Sequence, residues 1–280
     1  MRKSVYEMVT ERIIEELEKG TVPWQRHWLN GGAVNWKTQR PYRGINAFLL
    51  QSGEYATFKQ ITEAGGKVKR GAKSHIVVFW TWLDKENSEN GEEEKIPYLR
   101  YYRVFDIAGQ VEGLESNRTT TELEHEPIDK AEEIFKGYQE ELTFTFFSGH
   151  PMYIPSEDRV NCPPLEQFTV PEEYYCTLFH EMIHSTGHQS RLARRGVTIP
   201  HVKFGDENYS KEELIAEMGA AMLCGVANIH NTIENSASYI HSWIKVLKDD
   251  NRLVVQAAAQ AQKAADFVLG EKESGIRIDP

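Results

Sequence analysis

The sequence is poor in cysteine and has no long hydrophobic run. Its three cysteines, Cys162, Cys176 and Cys224, are widely spaced and form no Cys-x-x-Cys pair. This odd count argues against a disulfide framework or a cysteine-rich zinc site and predicts a cytoplasmic protein. The longest apolar runs, 76–80 and 47–50, are far shorter than the roughly 18 residues of a membrane helix, so no membrane partner is expected. The N-terminus lacks the apolar core of a cleaved secretion signal.

The length and composition predict a folded protein of two domains. The chain has 280 residues, of which 40% are hydrophobic and 26% charged, and these values exclude wholesale disorder. A polar stretch without periodicity near residues 112–126 is typical of a linker. We therefore predict an N-terminal domain over 1–115, a linker over 116–126 and a C-terminal domain over 127–280.

Charge is distributed unevenly between these parts. The net charge is −10, but residues 1–115 carry +1 and residues 116–280 carry −11. Within the first part, residues 19–73 hold 10 basic and 2 acidic side chains among seven tryptophans, tyrosines and phenylalanines. Basic residues interleaved with aromatics suit single-stranded nucleic acid, because cations neutralise phosphates and rings stack on unpaired bases. The alternative interpretation is a solvated basic face over an aromatic core.

Periodicity predicts an α+β protein. Apolar residues at Val5, Val9, Ile13 and Leu17 indicate a helix over 4–19, and β-branched and aromatic runs at 74–83 and 98–107 indicate paired strands. The first domain is therefore predicted as a small α+β unit with an antiparallel sheet. The second is predicted to be mostly helical, with helices over 128–138, 171–185, 211–226, 236–247 and 254–269.

Residues 180–184 form the pattern His-Glu-x-x-His. On a helix, His180 and His184 lie one turn apart on the same face and can bind one zinc ion. Glu181 then lies beside the metal, where it can act as the general base towards a water whose pKa the metal lowers. The pattern predicts a zinc hydrolase, with another divalent ion such as Mn²⁺ as the alternative metal.

A catalytic zinc site needs a third protein ligand. The extended motif of one zinc-peptidase class requires a histidine at position 190, where this chain has Ser190. His188 follows Gly187, which is a signal for the end of a helix, so a helix-end or supporting role is favoured for it. Glu213 and Glu217 lie four residues apart in an apolar helix, where carboxylates are costly unless paired or metal-bound. One can ligate the metal while the other orients a histidine, and the alternative is a surface acidic stripe.

Two further features concern a substrate of this site. Residues 152–160 are predicted as a strand and turn, and an edge strand beside the metal can bind a peptide through its backbone. Four side chains are candidates for stabilising a developing oxyanion, and the sequence does not choose among them: Tyr153, Tyr209, His201 and His241.

Eight segments spread over nearly the whole chain resemble the ArdC family of antirestriction proteins of conjugative plasmids and other mobile elements. They are VTERIIEELEKGTVPW (9–24), YRGIN (42–46), TFKQITEAGGKVKRGAKSHIVVF (57–79), YYRVFDIAGQVEGL (101–114), YIPSEDRVNCPP (153–164), TLFHEMIHSTGHQSRL (177–192), YSKEELIAEMGAAML (209–223) and AAAQAQKAADFVL (257–269). Together they are far more specific than the metal motif alone.

The resemblance implies an N-terminal domain that binds single-stranded DNA and a C-terminal zincin-like metallopeptidase domain of gluzincin type. It implies that His180 and His184 are metal ligands and that Glu181 is the catalytic base. It favours Glu213 as the third ligand and Glu217 as its support, with the reverse assignment still open. The implied role is protection of incoming DNA from restriction, and the peptidase substrate is an unknown protein, for which a component of host restriction is one candidate.

The resemblance also selects candidates for DNA contact. They are Trp24, Trp36, Tyr42, Arg43, Asn46, Lys59, Lys67, Lys69, Arg70 and Lys73. For Trp24 and Tyr42 the alternative role is core packing. The chain departs from the family at Asp106, where asparagine is expected, and the −10 net charge also argues against DNA binding.

Two other hypotheses compete with the two-part interpretation. The chain can be a DNA-binding protein whose zinc site is structural or inactive, although Glu181 has no use in such a site. Alternatively, the acidic second half can mimic DNA and block a restriction enzyme directly, although its carboxylates show no regular spacing.

Overall fold

The structure is a computed structural model that describes residues 3–25, 32–86, 93–117, 127–199, 207–229 and 237–271. The protein has two domains of α+β type, an N-terminal region built on a sheet and a C-terminal region built mainly of helices. Most of the predicted linker, residues 118–126, and the oxyanion candidate His201 lie outside the described residues. None of the described helices has the length and apolar character needed to cross a membrane.

The N-terminal region is built on a four-stranded sheet of order β1-β2-β5-β4. The strands are β1 (Ala33–Asn35), β2 (Gly53–Thr57), β4 (His75–Glu86) and β5 (Glu93–Asp106), and β3 (Lys67–Val68) pairs with β6 (Val111–Glu112) in a separate ribbon. The two predicted long strands are confirmed as β4 and β5. The prediction of an antiparallel sheet is correct except at one edge, because β1 and β2 are parallel.

Four helices accompany this sheet: α1 (Val5–Glu18), α2 (Ile45–Leu49), α3 (Phe58–Glu63) and α4 (Ile107–Gln110). Helix α1 begins at a capping box, in which Ser4 and Glu7 satisfy each other's backbone N–H groups. Asp106 caps α4 by accepting a hydrogen bond from the backbone N–H of Gly109. The acid at this position therefore has a local structural role.

The C-terminal region combines a small sheet with a bundle of helices. Its strands β7 (Thr143–Thr145), β8 (Met152–Ile154) and β9 (Arg159–Asn161) pair in the order β7-β9-β8, so β8 is an edge strand. Its helices are α5 (Pro127–Tyr138), α6 (Pro171–Thr186), α7 (Arg195–Thr198), α8 (Glu207–Ala227), α9 (Ala237–Asp249) and α10 (Leu253–Val268). The five predicted helices are confirmed, and α7 is an additional short turn.

One hydrophobic core joins the two regions. Ile13 and Leu17 of α1 are buried in the same cluster as the apolar side chains of α6, α8 and α10. The indole of Trp24 meets that of Trp243 edge to face at 5.2 Å between ring centroids. Thr10 donates a hydrogen bond of 2.6 Å to the carbonyl of Asn251. The N-terminal helix is therefore part of the interior of the helical region.

Candidate metal centre and nucleic-acid interface

Helix α6 carries the two histidines of the sequence motif on one face. Pro171 occupies its first turn, where a missing N–H costs nothing. The Nε2 atoms of His180 and His184 lie 3.1 Å apart, and both side chains are only 13% exposed. Glu181 follows directly and is buried. The one-turn spacing therefore produces the convergent pair of imidazoles that the motif predicts.

Helix α8 places a carboxylate between these imidazoles. One oxygen of Glu213 is 3.5 Å from Nε2 of His180, and its other oxygen is 3.5 Å from Nε2 of His184. One donor atom from each of the three residues lies within 4.8 Å of the others. The two helices approach closely because Gly219 of α8 packs on Ile183, where an added Cβ would come within 2.8 Å of the isoleucine side chain.

Two further glutamates face the outer nitrogens of the imidazoles. Glu217 Oε1 is 3.9 Å from Nδ1 of His180, and Glu212 Oε1 is 3.3 Å from Nδ1 of His184. Carboxylates in such positions fix the orientation and tautomer of metal-binding histidines. The structure therefore places Glu213 and Glu217 on opposite sides of His180, in different relations to the ring.

Glu212 is in turn held by Arg194, which follows α6. The guanidinium donates to Glu212 Oε1 at 2.6 Å, to the carbonyl of Ile183 at 2.7 Å and to the Thr186 hydroxyl at 2.6 Å. Glu212 and Arg194 are both buried. Sequence reasoning missed both residues. The sequence offered one clue to Glu212, because it directly precedes the candidate ligand Glu213 and follows Lys211. No sequence pattern linked Arg194 to Glu212.

The electrostatics of the cluster favour a cation. Burial alone would lower the pKa of His180, but contact with Glu213 and the charges of two further carboxylates raise it to about 9. Burial would raise the pKa of Glu213, yet the two imidazoles and a hydrogen bond from Tyr209 lower it to about 2. The pKa of Glu212 is also lowered, because His184 and Arg194 outweigh its burial. The carboxylates of Glu212 and Glu213 are therefore ionised at neutral pH.

A cleft of about 990 Å³ opens onto this cluster. Edge strand β8 forms one wall, and Val197 and Ile199 lie on another. Of the oxyanion candidates, Tyr153 and Tyr209 line the cleft, whereas His241 is an exposed residue of α9 outside its lining. The Tyr153 hydroxyl donates to Asp158 at 2.8 Å.

His188 is separate from the three-residue cluster. Its Nδ1 atom is 2.8 Å from the hydroxyl of Ser190, just beyond the end of α6. It also lines the cleft. The position agrees with the helix-end role favoured from the sequence.

Two predicted DNA contacts lie in the interior and are corrected here. Trp24 is 1% exposed and packs between Phe48 and Trp243. Asn46 is 5% exposed, and its side-chain amide exchanges two hydrogen bonds of 2.7 Å with the backbone of Val78. Side chains enclosed in this way cannot reach a nucleic acid at the surface, so both residues have a structural role in this fold.

Other candidates are half-buried at junctions. Arg43 forms ion pairs with Asp266 and Glu271, which ties its loop to the end of α10. The indole N–H of Trp36 donates to the carbonyl of Glu115 at 2.9 Å. Tyr42 packs edge to face on Tyr55.

The remaining basic candidates are accessible. They are Lys59, Lys67, Lys69, Arg70 and Lys73. Lys59 lies on α3 with its side chain 82% exposed, and the other four occupy the ribbon and turn that lead into β4. These four residues are close in the sequence and exposed, whereas Trp24 and Asn46 are buried in the interior.

Family models match two segments of the chain. Residues 129–260 match a zincin-like metallopeptidase, and residues 3–105 match the N-terminal domain of the anti-restriction factor ArdC. The chain is also similar to crystal structures of the antirestriction protein ArdC from plasmid R388. The metal-free structure has 34% identity and a TM-score of 0.76 over 95% of this chain and 97% of that one. The Mn(II)-bound structure has 32% identity and a TM-score of 0.78 over 98% and 100%.

Curated relatives include larger proteins. A DNA primase TraC of Escherichia coli is 32% identical over 99% of this chain, which spans 28% of that relative's length. A second TraC of the same species is 31% identical, and the chain spans 20% of it. Protein y4eC of Sinorhizobium fredii is 29% identical over 98% of this chain and 94% of its own length.

Proposed function

Because the chain belongs to the ArdC family of antirestriction proteins, we propose that it is a metal-dependent peptidase whose N-terminal region binds single-stranded DNA. One observation carries the peptidase part of the proposal. The donor atoms of His180, His184 and Glu213 converge within 4.8 Å, and the buried residue Glu181 lines the same cleft. That set of two imidazoles, one carboxylate ligand and a separate base is the arrangement of a catalytic zinc site.

The residues present fit a divalent metal. Nε2 atoms only 3.1 Å apart, with an ionised carboxylate 3.5 Å from each, match the donor types that zinc and manganese accept. Nδ1 of His180 is buried without a hydrogen bond to any described group, and Oε1 of Glu217 lies 3.9 Å from it. Zinc is our proposed ion in vivo, and the Mn(II) in the R388 relative supports a divalent ion in this fold.

A metal bound there supplies Lewis acidity, which lowers the pKa of water and polarises a carbonyl. Side chains of the protein transfer the proton and stabilise the developing negative charge. Glu181 lines the cleft and accepts a proton from the attacking water, then delivers it to the leaving amine. Two tyrosines on the cleft wall, Tyr153 and Tyr209, carry hydroxyl groups, and we propose that one of them stabilises the developing oxyanion.

The substrate proposed for this cleft is an extended segment of protein. Edge strand β8 borders the cleft, and its outer backbone groups can pair with a peptide as a further strand. We propose that the target is a protein of the recipient cell, with a component of host restriction as the favoured class. In this proposal, DNA binding by the N-terminal region localises the protein on incoming DNA during transfer.

The first experiment compares wild type with Glu181→Gln and His184→Ala, measuring bound metal, hydrolysis of a mixed peptide library and affinity for oligo(dT). Glu181→Gln is expected to retain metal and lose hydrolysis by about 10²–10⁴-fold, because only the base is removed. His184→Ala is expected to lose both metal and hydrolysis. The control is His241→Ala, which removes an exposed histidine of α9 and is expected to change nothing.

The outcomes separate the parts of the proposal. Metal binding without hydrolysis in wild type would mean that the site is structural, and the peptidase assignment would be withdrawn. If His184→Ala folds normally but no longer binds oligo(dT), DNA binding depends on the metal site and the two activities are not separate. Equal affinity in all four proteins supports two separate sites.

A further inference from the structure

The two faces of the β4–β5 hairpin have different neighbours. Strand register assigns residues to faces, because directly paired residues in an antiparallel ladder point to the same side. One face carries the pairs Val78–Tyr101 and Trp80–Leu99, and the other carries Val77–Tyr102, Phe79–Arg100 and Thr81–Tyr98. The two faces can therefore be compared at equal positions along the same strands.

The first face packs mainly against the protein interior, although Trp80 on it is 49% exposed. Val78 and Leu99 are buried in the large core that includes the C-terminal helices, and Tyr101 packs against that core. Trp80 meets Tyr6 of α1 edge to face, with ring centroids 6.3 Å apart. This face holds the sheet on helix α1 and the helical region.

The second face presents aromatic rings and a cation to the surface. We call Tyr42, Phe79, Tyr98, Arg100 and Tyr102 the open face. Its inner end is closed by a small separate cluster in which Tyr42, Phe79 and Tyr102 are only partly buried. Towards the hairpin tip, Tyr98 is 48% exposed and Arg100 is exposed. The described residues thus leave a row of aromatic side chains accessible on one side of a sheet.

Three of the four rings of the open face form a continuous series, and Tyr98 lies on the same face beyond Arg100. Tyr42 and Phe79 have ring centroids 6.4 Å apart, and Phe79 and Tyr102 are 5.7 Å apart. Arg100 pairs directly with Phe79 across the strands. Spaced rings of this kind offer successive stacking positions to unpaired bases, and a guanidinium beside them can contact phosphate or stack in turn.

We propose that the open face is the surface on which bases of single-stranded DNA stack, an inference that rests on the DNA binding proposed above. The charge of its surroundings favours this partner. The four accessible cations at Lys67, Lys69, Arg70 and Lys73 directly precede β4, where they can contact the phosphates of a strand that crosses the sheet. Asp106 lies at the far end of the same face, where its carboxylate caps α4.

The open face can supply the DNA contacts that the sequence analysis expected from Trp24 and Asn46. Trp24 and Asn46 are enclosed, so the aromatic and polar contacts expected from them must come from elsewhere. None of the open-face residues except Tyr42 was a candidate from the sequence. A duplex is excluded as the preferred ligand, because its paired bases cannot stack on protein rings.

The experiment uses the full chain and a fluorescent oligo(dT) of about 20 nucleotides, long enough for the usual site size. The test variant is Tyr98→Ala with Arg100→Ala. The matched control is Trp80→Ala with Arg103→Ala, which removes an aromatic and an arginine from the opposite face of the same strands. The match is close because Tyr98 is 48% exposed and Trp80 is 49% exposed.

The test variant is expected to lower affinity by about 10- to 100-fold, and the control by no more than about twofold. Arg100→Ala alone is expected to reduce the slope of log affinity against log salt by about 0.7, because one phosphate contact is lost. Tyr98→Ala alone should weaken binding without changing that slope. Tyr98→Phe should bind with the wild-type affinity, because it keeps the aromatic ring. Thermal unfolding of each variant checks that the fold is intact.

Other results would overturn the inference. If the two double variants weaken binding equally, or if only changes in the 67–73 segment do so, the open face is not the stacking surface. Equal affinity for duplex and single strand would also contradict stacking. Absence of oligo(dT) binding by wild type would instead overturn the DNA-binding proposal itself, which is a different result.

Discussion

The metal cluster and the N-terminal sheet differ in how their candidate residues are related in the chain. In the cluster, His180 and His184 lie one helical turn apart, and Glu213 comes from a second helix packed directly against the first. In the sheet region, the candidates are scattered over strands, turns and short helices, and two of them are buried. Function that depends on spacing within one element is easier to locate than function that depends on which face of a sheet stays exposed.

The same contrast appears in what surrounds each site. The cluster is enclosed by buried carboxylates and an arginine, which hold the imidazoles in place. The open face has partly exposed rings over a small core of its own. We expect substitutions around the cluster to change stability and metal affinity together, and substitutions on the open face to change DNA affinity alone.

The largest effect is expected for Trp24→Ala, which tests whether this residue belongs to the core or to the DNA surface. Loss of a fully buried indole should lower the free energy of unfolding by about 3–5 kcal/mol, measured by urea denaturation. Trp36→Ala is the comparison, since its ring is only half-buried, and its effect should be smaller. A Trp24→Ala protein of normal stability that no longer binds oligo(dT) would contradict our assignment.

Arg194→Lys tests the support behind His184. Lysine retains the charge but not the planar fork that contacts Glu212, Ile183 and Thr186. We expect a loss of about 1.5–3 kcal/mol in unfolding free energy and about 10- to 100-fold in metal affinity, measured by titration. The control is Arg195→Lys at the exposed neighbouring position. Unchanged metal affinity would mean that Glu212 does not orient His184.

Gly219→Ala tests the close approach of α6 and α8. The new methyl group would meet the side chain of Ile183 at under 3 Å, so we expect destabilisation of about 1–3 kcal/mol and weaker metal binding. Gly137→Ala is the control, because an added Cβ there meets nothing within 4 Å. That change should stabilise α5 by about 0.5–1 kcal/mol. Equal effects at the two positions would contradict the packing argument.

The smallest effect concerns Asp158, which links the β8–β9 turn to Arg191. Burial would raise the pKa of Asp158, but hydrogen bonds from Arg191 and Tyr153 outweigh it and lower the pKa below 3.8. Because the pKa is lower in the folded state, the ion pair stabilises the protein when the pH is above the pKa of Asp158 in the unfolded chain. This stabilisation is lost as the pH falls through the pKa of Asp158 in the folded protein.

Because the Asp158 side chain is 29% exposed, we expect Asp158→Asn to cost less than about 1 kcal/mol at neutral pH. The difference from wild type should shrink as the pH falls below about 4, the ordinary carboxyl value, which can be followed by denaturation at each pH. Glu166→Gln, at an exposed position on the same region, is the control. A difference that grows on acidification would have the wrong sign and would contradict the argument.

Much of the secondary structure was predictable because it depends on local patterns. The capping box at Ser4, Pro171 at the start of α6 and the two long strands follow from side-chain types at short separations. The parallel pairing of β1 and β2 was not predictable, because it joins segments separated by a loop and a short helix. Glu212 and Arg194 were missed for the same reason, since their contact depends on the path of the chain after α6.

The sequence alone is enough to predict the α+β class, the paired histidines with Glu181 and the two acids of α8, because each depends on the period of a helix or strand. The tertiary structure decided that Glu213 lies between the imidazoles while Glu217 faces the outer nitrogen of His180. It also decided that Trp24 and Asn46 are enclosed while Tyr98 and Arg100 remain accessible. Burial results from packing between distant segments, and helix α1 of the N-terminal region completes the core of the C-terminal region.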